Sequence, residues 1–346
     1  MNRLKSSMLV VLALVAAIGF TVVPAAPVEA QGSAALSIPP RKNYTIEPGK
    51  EIEDTLRITN GDRERQLNLS FRVVDFTYTD DGGTPKLDLA EDAPQTTWSL
   101  KSFMEAPGAV TIEPGESASI PMKVAIPANQ GAGSYYSAII SSTGSSEGGN
   151  VGLSASGVTL VFVTVPGDMN EKLTLTKIGT YDSVKKKYKL FNMDMPKRIA
   201  YTLKNDGNVA ESPVGSITLK NIFGQEKVIN DINPNKSLAL IGQTRTFDAC
   251  IIMSTEKVDF NGTRQEATTC ADAGLWPGFY TVTLNGFYGQ NGNNTQEIFG
   301  KGHFFYLPLW FIIALVIALL FIGYHAWRFK RFVQKKRGTK TLARKK

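Results

Sequence analysis

The sequence predicts an all-β protein with two tandem β-sandwiches, followed by a single transmembrane α-helix. Short runs throughout the chain alternate apolar with polar residues, and turn-forming dipeptides separate these runs. One later run is long, apolar and free of charged residues. Many short strands with frequent turns are typical of sandwiches, whereas a long uncharged run is typical of a membrane span.

Residues 1–30 are predicted to form a signal peptide. Arg3 and Lys5 precede an apolar run at residues 8–20, which is too short to span a bilayer comfortably but suits the hydrophobic region of a signal peptide. Ala30 then offers a small-residue cleavage site. An uncleaved N-terminal anchor is the alternative, and both interpretations place the region after Gln31 outside the cytoplasm.

The exported region is expected to divide into two sandwiches. Residues 36–166 form the first and residues 172–302 the second, with a linker at residues 167–171, where the apolar pattern breaks. Period-2 alternation, as at Leu67, Leu69 and Phe71, predicts strands with one buried face. Residues 158–165 are continuously apolar and predict a central strand.

The two halves share landmarks at one spacing. Asn60 precedes Gly133 by 73 residues, and Asn205 precedes Gly278 by the same 73 residues. A tyrosine follows each glycine by two positions, where its ring is expected to be buried with its hydroxyl at the rim. The common spacing predicts two copies of one sandwich.

Cys250 and Cys270 are the two cysteines of the chain, and both lie in the exported part. Exported thiols without metal partners usually pair, so a disulfide is expected, with two free thiols as the alternative. Closing the short loop between them would contribute about 3 kcal/mol to stability.

A transmembrane helix is predicted at residues 304–326. The uncharged run at residues 304–324 would be about 31 Å long as a helix, which matches the hydrocarbon core of a bilayer. Aromatic residues near its ends are expected at the two membrane interfaces, and these are Tyr306, Trp310, Tyr324 and Trp327.

Residues 327–346 are predicted to form a basic cytoplasmic tail. Its cations include Arg328, Lys330, Arg331, Lys335, Lys336 and Arg337. A short segment rich in Lys and Arg stays in the cytoplasm, where it contacts anionic lipid headgroups. The chain carries a net charge of +7, but the excess lies in this tail and the exported part is mildly acidic. Nucleic-acid binding is therefore not expected, and the protein is predicted to be single-pass with its N-terminus outside.

Several phrases resemble known bacterial surface proteins. Residues 203–209 (LKNDGNV), 212–225 and 278–289 resemble immunoglobulin-like surface modules. Residues 48–60 (PGKEIEDTLRITN) and 126–140 resemble the N-terminal domain of the WxL-interacting, DUF916-type proteins. This resemblance implies a signal peptide, two immunoglobulin-like sandwiches, a membrane helix and a basic tail. It also implies association with peptidoglycan and with other surface or host proteins.

No catalytic, cofactor-binding or metal-binding residue is predicted. The two histidines, His303 and His325, are expected to flank the membrane helix, so no Ser-His-Asp arrangement is expected in either sandwich. Asp75, Asp80, Asp81 and Asp88 cluster around a Gly-Gly turn. A solvated loop is expected there, with a weak calcium site as the alternative.

The sequence therefore favours a non-enzymatic, membrane-anchored surface protein whose two domains bind cell-wall glycan, other surface proteins or both. One alternative is a scaffold subunit of an envelope complex that assembles through the transmembrane helix. A carboxylate-based cell-wall hydrolase is a minor alternative.

Overall fold

The computed structural model describes residues 36–79, 84–90, 94–143, 156–260, 263–289 and 296–343. These residues form many β-strands and one α-helix. In chain order they are β1 Leu36–Ser37, β2 Arg41–Thr45, β3 Glu51–Asn60, β4 Leu67–Val74, β5 Phe76–Tyr78, β6 Pro85–Leu87, β7 Val110–Ile112, β8 Ser117–Ala125, β9 Gly133–Thr143, β10 Ser156–Val165, β11 Leu173–Asp182, β12 Lys187–Lys189, β13 Phe191–Asn192, β14 Arg198–Asn205, β15 Val214–Asn221, β16 Glu226–Ile229, β17 Thr244–Cys250, β18 Met253–Phe260, β19 Thr263–Cys270, β20 Gly278–Tyr288, β21 Gln296–Tyr306 and α1 Leu309–Ala343. The predicted fold class, all-β with a long apolar helix, is confirmed.

The first sandwich packs a three-stranded sheet, in the order β1-β3-β8, against a five-stranded sheet, in the order β2-β10-β9-β4-β7. The inner face of the smaller sheet follows from the alternation of apolar and polar residues along its strands. In β8, Ile120, Met122 and Val124 are at most 4% exposed, whereas the residues between them face solvent. A short antiparallel ribbon, β5-β6, leaves this sandwich at the end of β4.

The larger sheet of the first sandwich is buried on both faces at its centre. In β9, Tyr135 and Ile139 face the core of the sandwich, whereas Tyr136 and Ile140 belong to a separate cluster on the opposite face. The run at residues 158–165 becomes β10, which pairs with β9 and β2 and alternates between the same two clusters. A strand covered on both faces has no solvent side, and this explains its continuous apolar sequence.

The second sandwich has the same strand arrangement with one additional edge strand, β12. Its sheets are ordered β12-β11-β14-β17 and β13-β21-β20-β15-β16. In each sandwich a short early strand pairs in parallel with the last strand, β2 with β10 and β13 with β21, and an antiparallel run follows. The early strands of each sandwich are thus divided between its two sheets, as in an immunoglobulin-like fold. A two-stranded ribbon, β18-β19, extends from the end of β17.

The repeated landmarks occupy equivalent positions. Asn60 is the last residue of β3 and Asn205 is the last residue of β14, and both are fully buried. The hydroxyl of Tyr135 donates to Gly131 O at 2.9 Å, and that of Tyr280 lies 2.9 Å from Trp276 O, again four residues upstream. Both sandwiches therefore contain the tyrosine corner of immunoglobulin-like domains.

Helix α1 is the one helix in the described part of the chain that is long and apolar enough to cross a membrane. The most apolar window of the span Leu309–Phe332 has a mean hydropathy of 2.4, and none of that window is buried. Leu309 to Trp327 alone is about 28 Å long, close to the thickness of a hydrocarbon core.

The predicted start of this helix at residue 304 is wrong. Residues 304–306 belong to β21, with Phe304 and Tyr306 inside the core of the second sandwich, and the helix begins at Leu309. An apolar strand end runs directly into an apolar helix here, so the sequence shows no polar break. Pro308 marks the boundary, because proline cannot donate in a strand ladder but is tolerated beside a helix start.

Candidate functional site

The two sandwiches meet at a third apolar cluster. The outer face of the five-stranded sheet contributes Val74, Tyr136, Ala138, Ile140 and Phe162, the β5-β6 ribbon contributes Phe76, and the end of the second sandwich contributes Ala210, Leu238 and Leu240. Tyr136 and Leu240 are at most 1% exposed. Because apolar burial is the main stabilising term in such an interface, the cluster couples the two domains.

Hydrogen bonds to backbone carbonyls reinforce this junction. The Ser134 N–H donates to Asn208 O at 3.0 Å, and Asn208 Nδ2 donates to Ala132 O at the same distance. Gly133 lies between them with φ near +144°, and a Cβ on it would come within 2.6 Å of Asn208 O. A side chain at this glycine would push the two backbones apart.

Arg245 and Tyr78 join the junction to the β5-β6 ribbon. The Arg245 guanidinium lies 4.6 Å over the Tyr78 ring and donates to Leu238 O. Burial lowers the pKa of Arg245 and raises the pKa of Tyr78. The Tyr78 N–H also donates to Gln243 Oε1 at 3.1 Å, so the ribbon is fixed to the second sandwich.

A groove of 970 Å³ lies between this ribbon and the outer face of the β12-β11-β14-β17 sheet. We call it the ribbon groove. Its lining is mainly hydroxyl, amide and amine groups with three tyrosines, and consists of Thr77, Tyr78, Thr79, Lys86, Tyr181, Lys186, Tyr188, Thr202, Gly242, Gln243, Thr244 and Thr246.

The floor of the ribbon groove is a chain of hydroxyl groups. The Tyr188 hydroxyl lies 2.6 Å from Thr202 Oγ1, which lies 2.8 Å from Thr246 Oγ1. Burial raises the pKa of Tyr188 to about 12, and its ring carries the Lys177 amine 4.6 Å above one face. Such a surface offers donors, acceptors and aromatic faces, the groups that bind a polyhydroxylated ligand.

A second cleft, of 580 Å³, runs beside the edge strand β2. We call it the edge cleft. Arg41 and Asn43 of β2 lie on one side, where Arg41 Nε donates to Asn43 Oδ1 at 2.7 Å. Lys236 of the second sandwich also lines it. The Arg41 guanidinium lies 4.6 Å over the Phe162 ring, and burial lowers its pKa.

The acidic cluster predicted around the Gly-Gly turn is not a single exposed loop. Asp75 is 7% exposed and accepts hydrogen bonds from Ser99 Oγ at 2.5 Å and Ser137 Oγ at 3.0 Å. It therefore ties β4 to β9 inside the protein, which corrects the expectation of solvation. Asp80 and Asp81, the proposed calcium ligands, lie outside the described residues.

The predicted cysteine pair forms a disulfide. Cys250 ends β17 and Cys270 ends β19, so the bond closes the base of the β18-β19 ribbon. Among the described residues, no group of three or more His, Cys, Asp or Glu side chains is arranged to hold a metal ion.

The expected membrane-interface residues separate into two sets. Tyr306 is 6% exposed and packs in the core of the second sandwich, because β21 pairs with β20 as far as its last residue. Its predicted interfacial position is therefore wrong. Trp310, Tyr324 and Trp327 are exposed on α1.

The basic residues of the predicted tail continue the same helix. Arg328, Lys330 and Arg331 are exposed, and the Arg331 guanidinium lies 3.9 Å over the Trp327 ring. The backbone of Lys335, Lys336 and Arg337 is also helical.

The residues of both clefts were not predicted from the sequence. Tyr181, Tyr188 and Thr244 lie far from Tyr78 along the chain, and they belong to β11, β12 and β17. Only the packing of the two sandwiches brings them together, so no local motif identifies them.

Comparison with known proteins supplies no family. No family model matches the chain, and no curated protein matches it. Among solved structures, a chain of a chaperone–tip adhesin complex of CFA/I fimbriae has 10% identity and a TM-score of 0.36, covering 80% of this chain and 100% of that one. The class 5 fimbriae chaperone CfaA has 11% identity and a TM-score of 0.34, with 79% and 100% covered. The E. coli chaperone DraB has 11% identity and a TM-score of 0.33, with 79% and 97% covered. TM-scores below 0.5 are too low for these similarities to support an argument about function.

Proposed function

We propose that this chain is a non-enzymatic, membrane-anchored surface protein of the WxL-interacting kind that its sequence resembles, and that it binds cell-wall glycan in the ribbon groove. In this proposal the signal peptide directs export, α1 spans the cell membrane, and the basic tail remains in the cytoplasm. The two sandwiches then stand on the outer side.

The lining of the ribbon groove is the observation that supports glycan binding. Tyrosine rings at Tyr181 and Tyr188 offer surfaces on which sugar rings stack, and the threonine hydroxyls offer partners for sugar hydroxyls. Lys86 is exposed at the edge of the groove, where its charge favours the carboxylates of an acidic wall polymer.

The test is retention of the full chain, in detergent, on purified cell walls. We expect Tyr181→Ala with Thr244→Val to reduce retention, because the double variant removes one stacking surface and one hydroxyl from the groove. Phe299→Ala is the matched control, because Phe299 is 62% exposed and is not among the groove residues. Equal retention of the groove and control variants, or no retention of the unmodified chain, would contradict the proposal.

A protein partner at the edge cleft is the second candidate. Strand β2 is an edge strand, with β10 on one side and no strand hydrogen-bonded to its other side among the described residues. An extended segment can add to such an edge, and Arg41 with Lys236 would favour an acidic one. Loss of partner capture in Arg41→Ala with Lys236→Ala, with wall retention unchanged, would support this candidate.

Assembly through the helix is the remaining alternative. Replacing α1 with an unrelated apolar helix distinguishes this alternative from binding by the sandwiches. Partners that bind the sandwiches should still co-purify with the altered chain, whereas partners that bind α1 should be lost.

A further inference from the structure

Exposed apolar side chains concentrate at one end of the second sandwich. Phe191, Met193, Ile222, Phe223 and Trp276 are each between 57% and 66% exposed. In the described part of the first sandwich, Leu89 is the one large apolar residue of comparable exposure. We call these five residues the apolar end.

Strand register places the apolar end beside the start of α1. Phe191 pairs with Phe305, near the last residue of β21, and their rings stack at 5.0 Å. The Ile222 N–H donates to Phe279 O, and Phe279 also pairs with Phe305. Trp276 lies two residues before β20, whose first residue pairs with the last residue of β21.

The connection between β21 and α1 is short and held in place. It consists of Leu307 and Pro308, which extend over about 7 Å at most. The Leu307 N–H donates to Asn192 O at 2.8 Å, and Pro308 O accepts the Phe311 N–H at 2.9 Å. A helix that enters a bilayer at Leu309 therefore brings this end of the sandwich to the bilayer surface.

The loops that present the apolar end are fixed by hydrogen bonds from their backbone to polar side chains. Asn221, which is 4% exposed, accepts the Phe223 N–H through Oδ1 at 2.9 Å. Gln225 Oε1 accepts the Trp276 N–H at 2.8 Å, and the carbonyl of Trp276 is held by the tyrosine corner at Tyr280. These apolar side chains project from anchored backbone into solvent, which is unfavourable unless another phase covers them.

We propose that the apolar end is immersed in the headgroup region of the bilayer, so that the second sandwich sits directly on the membrane. The inference rests on the proposed membrane anchoring by α1. Tryptophan and phenylalanine are the residues that partition best into this region, and side chains there contribute through apolar area removed from water. The continuity of the apolar end with α1 favours lipid over a protein partner.

The experiment uses the full chain in lipid vesicles, with brominated lipids that quench nearby tryptophan. In a Trp310→Phe, Trp327→Phe background, Trp98 and Trp276 remain, and Trp98 lies in the first sandwich. The comparison protein also carries Trp276→Phe and Phe299→Trp. The probe then lies at an exposed site on β21, about 23 Å from the end of this strand that precedes α1.

We expect lipids brominated near the headgroup end of the acyl chain to reduce the emission of Trp276, with a blue-shifted maximum, and to leave the probe at position 299 unquenched. Near-equal quenching at the two positions, or none at Trp276, would overturn the inference. A Trp276→Phe chain that keeps Trp310 and Trp327 reports on the helix, with Trp98 of the first sandwich as the same background in every chain. If the emission of the helix tryptophans is quenched but that of Trp276 is not, the apolar end is not immersed although α1 is in the bilayer. If neither emission is quenched, the proposed membrane anchoring by α1 is wrong.

Discussion

Two buried asparagines, Asn60 and Asn205, hold equivalent turns in the two sandwiches. Asn205 Nδ2 donates to Val209 O at 2.6 Å and to Ala239 O at 2.9 Å, and its Oδ1 accepts the Gly207 N–H at 2.9 Å. Asn60 Nδ2 likewise donates to the carbonyls of Arg65, Ile112 and Glu113, and its Oδ1 accepts the Asp62 N–H. This explains why the asparagines were visible as repeat landmarks, because few other side chains both donate and accept within one tight turn.

Replacing one of these asparagines should destabilise the protein. In Asn205→Ala the carbonyls of Val209 and Ala239 lose a buried donor, so we expect the free energy of unfolding to fall by about 2–4 kcal/mol. Urea denaturation measures the loss. Asn68→Ala, at an exposed position of β4, is the control and should change stability little. Similar losses in both variants would show that the buried hydrogen bonds are not the cause.

Glu211 makes stability depend on pH. It is 1% exposed, and burial, together with the negative charge of Glu171, raises its pKa from 4.5 to about 8, although a hydrogen bond from the Gly289 N–H acts in the opposite direction. The folded state therefore binds this proton more tightly than the unfolded state does. The stabilisation is complete below the unfolded pKa of 4.5 and is lost as pH rises through the folded value.

We expect the free energy of unfolding to fall between about pH 5 and about pH 9, by at most about 5 kcal/mol. Glu211→Gln keeps a neutral side chain and should flatten this part of the profile, whereas Glu64→Gln at an exposed position should not. Denaturation of the three proteins at both pH values is the measurement. An unchanged slope in Glu211→Gln would assign the pH dependence to other groups.

At the scale of elements, the strands that the sequence predicted best are those whose burial pattern stays the same from one end of the strand to the other. The alternating β8 and the doubly covered β10 were both recognisable, because burial on one face or on two leaves a distinct pattern. The end of β21 was not recognisable. Phe304 and Tyr306 are apolar because they pack in a sandwich, and the residues after Pro308 are apolar because they form the exposed helix. These two causes together produce one uninterrupted apolar run in the sequence, so the end of the strand and the start of the helix are not distinguished.

The β18-β19 ribbon depends on its disulfide. The bond joins cysteines 20 residues apart, so its removal should cost about 3 kcal/mol through the entropy of the unfolded chain. Cys250→Ser with Cys270→Ser should lower the thermal midpoint under oxidising conditions. The matched comparison is the unmodified chain with reductant. Its thermal midpoint should equal that of the double variant. Equal midpoints for the oxidised and reduced unmodified chain would contradict this prediction.

At the scale of the whole molecule, the junction makes one body of two similar domains. Repeat spacing indicated that there are two sandwiches but not how they pack, because the junction residues belong to distant strands and loops whose apolar character is also explained by their own domain. Ala210 and Leu240 lie in short loops with no strand period. The ribbon groove and the edge cleft both depend on this packing, which is why neither was predicted.

The junction should therefore make the two sandwiches unfold together. Leu240 is 0% exposed in the cluster between them, so Leu240→Asp places a charge in an apolar interface and should separate one calorimetric transition into two. Phe76→Asp should do the same from the first sandwich, because its ring lies in the same cluster at 2% exposure. Leu89→Asp, at 52% exposure, is the control and should leave a single transition. If both buried variants also unfold in a single transition, the junction does not couple the domains, and the clefts between them would change shape as the domains move.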